Sequence, residues 1–167
     1  CEVVGADARF NFMTGFAQIS EKLVVVADSN NHCMRLIDRT TNKTSAFSGQ
    51  CQSEGYEDGR PGQFSYPRSV VIDKRDKNQL LITGNAAVRT VDVTSQAVYT
   101  FLKSDSLDGI MGITQEEMSG DLYVTVWQAV YRITYTQRSV TRISGSPGLL
   151  NAGNRDSTLL DSLFKWP

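Results

Sequence analysis

Short apolar and β-branched runs recur along the chain, separated by polar turns. The runs are "KLVVVAD", "SVVID", "QLLITG", "VRTVDV", "AVYTFL", "DLYVTVW", "AVYRITY" and "SVTRIS"; between them lie "DRTTNK", "DKRDKN", "TSQ", "SGD" and "TQR". Val, Ile, Tyr, Thr and Phe are the residues that a pleated, half-buried surface accepts best. No stretch carries the 3.6-residue periodicity of a helix over the length a helix needs. The pattern predicts an all-β chain built as an antiparallel meander.

The runs also repeat. With Arg35, Arg89 and Arg132 set in one column, "MRLIDRTTNKTSAF", "VRTVDVTSQAVYTF" and "YRITYTQRSVTRIS" align over two strands and a hairpin. Upstream of each Arg lies an apolar strand beginning at Leu23, Leu80 or Leu122, and before that a shorter one, "GFAQI", "SVVID" or "GITQE". Each unit is therefore four strands in about 40 to 55 residues, the size of a propeller blade. The boundaries expected are residues 1–9 ending a preceding blade, blades over 10–52, 53–106 and 107–150, and a connector over 151–167. "GYEDGRPGQFSYP" and "GNRDSTLLDSLFKWP" share their Gly, Asp, Phe and Pro, and "GADARFNFM" is a worn copy. They are read as connectors in which Phe plugs between sheets and Pro starts the next strand.

At "VVVADSNNHCMRLID" the chain resembles the NHL repeat, through Asp28, Asn31, His32, Arg35 and Ile37. The "G..DG....F..P" connector is similar to that family's as well. The second unit, "LLITGNAAVRTVD", lacks the Asp and the Asn-His pair, and the third matches by spacing. The resemblance implies a β-propeller, commonly of six blades, of which these three are a segment. A blade needs a neighbour on each face, so the remaining blades are expected from the same or another chain.

Composition narrows the function classes. The 167 residues carry a net charge of −1 with Lys and Arg scattered, which argues against a nucleic-acid footprint. No apolar run approaches the roughly 20 residues of a membrane helix, so no direct membrane insertion is expected. There is no phosphate loop, nucleophile elbow or His-Glu-x-x-His. Asp108, Glu116, Glu117 and Asp121 lack calcium-loop spacing. No cofactor, metal or catalytic residue is expected.

The three cysteines point to a compartment. If Ile37 faces Phe47 across the hairpin, Cys33 faces Cys51 as well, near disulfide reach. Two Cys make half a zinc site that the single His32 does not complete. His32 and Cys33 point to opposite faces of a strand, which disfavours a Cys–His nucleophile. A Cys33–Cys51 disulfide is the expectation and two buried thiols the alternative. A disulfide belongs to an oxidising compartment, hence a secreted or extracellular location, with an ectodomain possible. Asn42-Lys43-Thr44 is an N-glycosylation sequon at the expected tip of the same hairpin. Cys1 is expected to pair outside the segment, a free thiol being the alternative.

The recurring Arg and the turn residues Asp28, Asn31 and His32 read as structural, as do Tyr66 and Trp166 in matching connector positions. Trp127 is expected to fill space between blades. If a ligand binds, Asn30, Asn85, Trp127 and Gln128 are the loop residues to meet it. The resulting expectation is a non-enzymatic extracellular protein-binding or assembly module whose partners are other proteins or glycans. The alternative implied by the resemblance is part of a metal-dependent propeller enzyme, amidating-lyase-like or paraoxonase-like, with ligands on other blades. An RNA-binding propeller of the ubiquitin-ligase type is disfavoured by the near-neutral charge.

Overall fold

A computed structural model describes the backbone of residues 3–4 and all of residues 7–146. The connector expected over 151–167, with Trp166, and Cys1 lie outside the described residues. Among the described residues thirteen strands form three antiparallel sheets. The first contains β1 (Val3–Val4), β2 (Met13–Gln18), β3 (Leu23–Asp28), β4 (Cys33–Asp38) and β5 (Lys43–Ser48) in the order β1-β5-β4-β3-β2. The second is β6 (Val70–Ile72), β7 (Gln79–Gly84), β8 (Ala87–Asp92) and β9 (Val98–Lys103). The third is β10 (Ile110–Gln115), β11 (Leu122–Val126), β12 (Ala129–Ile133) and β13 (Val140–Gly145). Each four-strand meander is the blade unit that the sequence repeat predicts.

Three details depart from the sequence reading. Residues 3–4 were expected to end a preceding blade; instead β1 pairs with β5, Val3 opposite Thr44, and extends the first sheet outward. An unpaired edge exposes its N–H and C=O groups, and two β-branched residues satisfy part of that edge.

The second correction is the register of the β4–β5 hairpin. Ile37 faces Thr44, not Phe47, and a bulge lies between Met34 and Arg35 opposite Ser48 and Ala46. The unpaired residue is Phe47, which is thereby turned into the core at 5 % exposure. The same bulge recurs at Phe101 and Ile143 in β9 and β13.

The third correction concerns the Arg column. Val26 faces Arg35 and Ile82 faces Arg89, each the third pair from its β-hairpin turn. In the third sheet that place belongs to Tyr131, opposite Val124, and Arg132 comes one residue later. The turns at 85–86 and 127–128 are equally long and Leu80 and Leu122 hold the same pair position, so Arg132 simply lies one residue further along its strand than Arg89. A one-residue slip changes faces, and Arg132 is accordingly exposed where Arg89 is buried.

The sheets pack face to face. Val25, Ala27, Met34 and Phe47 of the first meet Val70, Leu80, Ile82, Val91 and Val98 of the second. Phe64 plugs that seam at 1 % exposure, as the connector motif predicts. Leu81, Val88 and Phe101 meet Leu122, Val124, Tyr131 and Ile133 of the third. First strands of neighbouring sheets also approach each other, β2 to β6 and β6 to β10.

Candidate functional site

Antiparallel connectivity places one end of all three sheets together. Each first strand starts at this end, each second strand finishes there, and the connectors return to it. Here the starts of β2, β6 and β10 enclose a hollow of about 290 Å³ lined by Phe12, Thr14, Arg68, Ser69, Met111 and Gly112. Every sheet contributes to its wall. Thr14 Oγ1 donates to the Arg68 carbonyl at 2.7 Å, tying the first blade to the second, and Thr83 Oγ1 of β7 to the Met111 carbonyl at 3.1 Å, tying the second to the third. Small residues let them approach: a Cβ on Gly15 would stand 2.4 Å from the Arg68 carbonyl oxygen.

The hollow is chemically mixed. Phe12 is 62 % and Met111 40 % exposed, large apolar surface left open at this end. Arg68 Nη1 lies 3.0 Å from Met111 Sδ, a weak acceptor. Among the described residues no carboxylate pairs with Arg68. Phe12, Arg68 and Met111 were not recognised in the sequence. Aligning "GFAQI", "SVVID" and "GITQE" puts Thr14, Arg68 and Met111 in one column. Three unlike residues at one position of similar strands were the available signal.

The loop residues expected to meet a ligand share this end but differ in availability. Asn30 is exposed, its Nδ2 donating to Asn11 Oδ1 at 3.1 Å. Asn85 is half-buried, its carbonyl taken by the Tyr56 hydroxyl at 2.6 Å. Trp127 packs against the core and over Gly109, where a Cβ would stand 2.2 Å from the indole, so it fills space. It does so at φ 49°, a region costly for a residue other than glycine. Gln128 corrects the expectation: it is 3 % exposed and Oε1 has no partner, because the turn folds its side chain inward.

The residues around the end are braced. Asp28 is fully buried and accepts from the Asn11 amide at 2.8 Å, Asn31 Nδ2 at 2.9 Å and Arg35 at 3.3 Å. His32, at φ 55°, accepts from the Tyr66 amide through Nδ1 and stands edge-on to its ring. Cys33 and Cys51 are disulfide-bonded with Cα atoms 4.9 Å apart. Their approach comes from the turn after β5, with Gly49 at φ 84°, rather than from the hairpin pairing expected. Asn42 is exposed at φ 56° in the β4–β5 turn, at the opposite end of the sheet.

The Arg residues have three separate tasks. Arg89 is buried and holds the connector: it donates to the Tyr56 carbonyl at 2.7 Å, the Glu57 carbonyl at 2.8 Å and Thr100 Oγ1 at 2.6 Å, and meets Asp58 at 3.0 Å. Burial pushes its guanidinium below its ordinary value, and Asp58 opposes this. Arg132 donates to Asp121 through Nε at 2.7 Å. The Tyr135 amide first, and Arg132 second, hold the Asp121 carboxyl below the usual range. Among the described residues no three His, Cys, Asp or Glu side chains gather as metal ligands.

The sequence matches no protein-family model and no curated protein. Solved structures do resemble it. A nidogen/laminin complex superposes with a TM-score of 0.60 at 11 % identity, over 81 % of this chain and 53 % of that one. Virginiamycin B lyase from Staphylococcus aureus gives 0.55 at 15 %, over 86 % and 44 %. The WD40 β-propeller domain of Doa1 gives 0.55 at 13 %, over 86 % and 42 %. At these identities the likeness establishes the fold: the three sheets are β-propeller blades. The chain spans about half the length of the proteins it resembles. Such neighbours include a protein-binding assembly and a lyase.

Proposed function

We propose that this chain is part of a non-enzymatic, extracellular propeller of NHL type that binds proteins through the end bearing the hollow. The observation that carries the reading is the hollow itself: exposed apolar side chains and a cation with no carboxylate partner among the described residues, held where the first strands of three blades start. The disulfide favours an oxidising compartment. A glycan on Asn42 would project from the opposite end and leave the docking end clear. The nidogen/laminin neighbour is a propeller found in a protein complex, which agrees with a binding role.

The ring is completed by further blades of the same design. Phe16, Val24, Val26 and Ile37 of the first blade occupy the positions of Val70, Leu80, Ile82 and Val91 of the second. In the second blade those residues are buried beneath a neighbour, whereas Phe16 is 77 % exposed. The covering face would resemble Leu81, Val88 and Phe101, the face that covers the third blade. The test of the binding reading is metal analysis of the intact full-length protein alongside cross-linking in the extracellular medium. A metal-free protein cross-linked to a partner through this end supports it; a stoichiometric metal favours the lyase-like or paraoxonase-like enzyme.

A further inference from the structure

Arg68 stands in a column where the neighbouring blades place Thr14 and Met111, and nothing in the packing requires a cation there. A guanidinium offers five N–H donors in a planar fork. Among the described residues its one side-chain hydrogen bond is to a thioether sulfur, at 3.0 Å. Arg35 and Arg89, which stand on the third strands of their blades, each meet a carboxylate, at 3.3 and 3.0 Å. Arg68 is therefore a cation facing the hollow with no carboxylate partner among the described residues. On either side of it are Phe12 and Met111, open apolar surface that a soluble protein covers with a ligand or a partner.

Charge and shape together select the occupant. We propose that the hollow docks a short segment of a protein partner in which a carboxylate side chain adjoins a branched apolar one. The carboxylate takes the Arg68 fork, and the apolar side chain lies between Phe12 and Met111. A volume of about 290 Å³ suits one or two side chains and not a whole folded element. Thr14 and Ser69 supply hydroxyls on the same wall. The strands are tied by Thr14 and Thr83, so the hollow is preformed and little ordering cost opposes binding. This assignment rests on the binding-module reading and specifies the chemistry its docking end recognises.

The test reads methionine methyl groups by NMR in the full-length protein. The probe is acetyl-Leu-Asp-Leu-amide, and its control is the same peptide with Asn in place of Asp. Met111 lines the hollow, Met34 is buried in the core and reports folding, and Met118, 90 % exposed, reports non-specific contact. The expected result is a saturable shift of Met111 alone, with the Asn peptide weaker by about tenfold, the loss of one charge-assisted hydrogen bond. Arg68→Gln should bring the Asp peptide down to the Asn level while Met34 stays in place. An unmoved Met111, equal binding of the two peptides, or sodium acetate occupying the site at the same concentration would each overturn the proposal. An unmoved Met111 in a protein whose partner is still cross-linked through this end would remove the hollow and leave the binding-module reading standing.

Discussion

Tyr135 donates its hydroxyl to Asp73 Oδ2 at 2.6 Å across the seam between the second and third blades, although 62 residues separate them. Asp73 is 1 % exposed, and its other oxygen accepts from Gln115 Nε2 and the Arg75 amide, both at 2.9 Å. Gln115 in turn accepts from the Lys74 amide at 2.6 Å. One buried carboxylate thus fastens the first strand of the third blade to the turn after the first strand of the second. Above it, Arg138 stacks on Phe101 and Tyr135.

Burial first, and the bond to Asp73 second, push the Tyr135 hydroxyl up to about 12 from its ordinary 10. Between those values the unfolded chain has lost the proton and the folded one keeps it, so stability falls as pH rises. Tyr135→Phe should cost about 1–2 kcal/mol at neutral pH, by leaving Asp73 short of one donor. It should also flatten the loss of stability between pH 10 and 12. Urea unfolding at pH 7, 10 and 12 measures both; a Phe variant with the parent's alkaline slope would remove Tyr135 from the titration.

Arg89 and Arg132 should respond very differently to truncation. Removing Arg89 leaves the Tyr56 and Glu57 carbonyls of the connector without their donors, while Asp58, half exposed, keeps the Thr100 hydroxyl. Arg89→Ala should destabilise by about 2–4 kcal/mol, from two carbonyls left without donors. Arg132 is exposed and holds one carboxylate. Arg132→Ala should cost less than Arg89→Ala, because the Tyr135 amide still donates to Asp121. Denaturant midpoints of the two variants decide the ranking, and equal losses would mean that Arg89 does not anchor the connector.

This contrast also marks what the sequence held and what it hid. The second strands begin at Leu23 and Leu122 as read, and at Gln79, one residue before Leu80, because alternation and β-branched residues set them locally. Phe64 was legible because a motif repeats around it. The unlike roles of the three arginines were not, since they follow from a one-residue difference in strand position and from bulges at Phe47, Phe101 and Ile143 that no residue type signals. The hollow was hidden for a related reason. It is assembled by the spatial meeting of three strand starts, and no stretch of chain contains it.

The disulfide joins an interior Cys33 to an exposed Cys51 across 18 residues. Opening it frees the connector that carries Phe64 and the Arg89 contacts. Loop-closure entropy alone predicts a loss of about 3 kcal/mol on reduction or in Cys51→Ser. Thermal unfolding with and without reductant should show it, and peptide mapping without reductant should recover residues 33 and 51 in one linked species. A protein whose melting is indifferent to reductant would show that the staple does not bear on stability.

Gly109 and Gly59 separate steric conflict from backbone strain. Both hold positive φ, at 79° and 112°. A Cβ on Gly109 would meet the Trp127 indole at 2.2 Å, whereas one on Gly59 meets nothing within 4 Å. Gly59→Ala should therefore cost about 1–2 kcal/mol from strain, and Gly109→Ala should add about 1–3 kcal/mol of overpacking. Gly109→Ala alone should move the Trp127 fluorescence, because the ring must leave its seat.

The open face of the first blade gives the sharpest test of ring completion. Phe16 and Val70 are equivalent positions, and Val70 is buried beneath the first blade at 4 % exposure. If a further blade covers the first in the same way, a carboxylate at either place is desolvated without a partner, at a cost of several kcal/mol. In the full-length protein Phe16→Asp should then destabilise as much as Val70→Asp, and hydrogen exchange should slow across β2 and β3 to the level of β6 and β7. A Phe16→Asp variant as stable as the parent, beside a crippled Val70→Asp, would show that the face meets water and that the ring closes elsewhere.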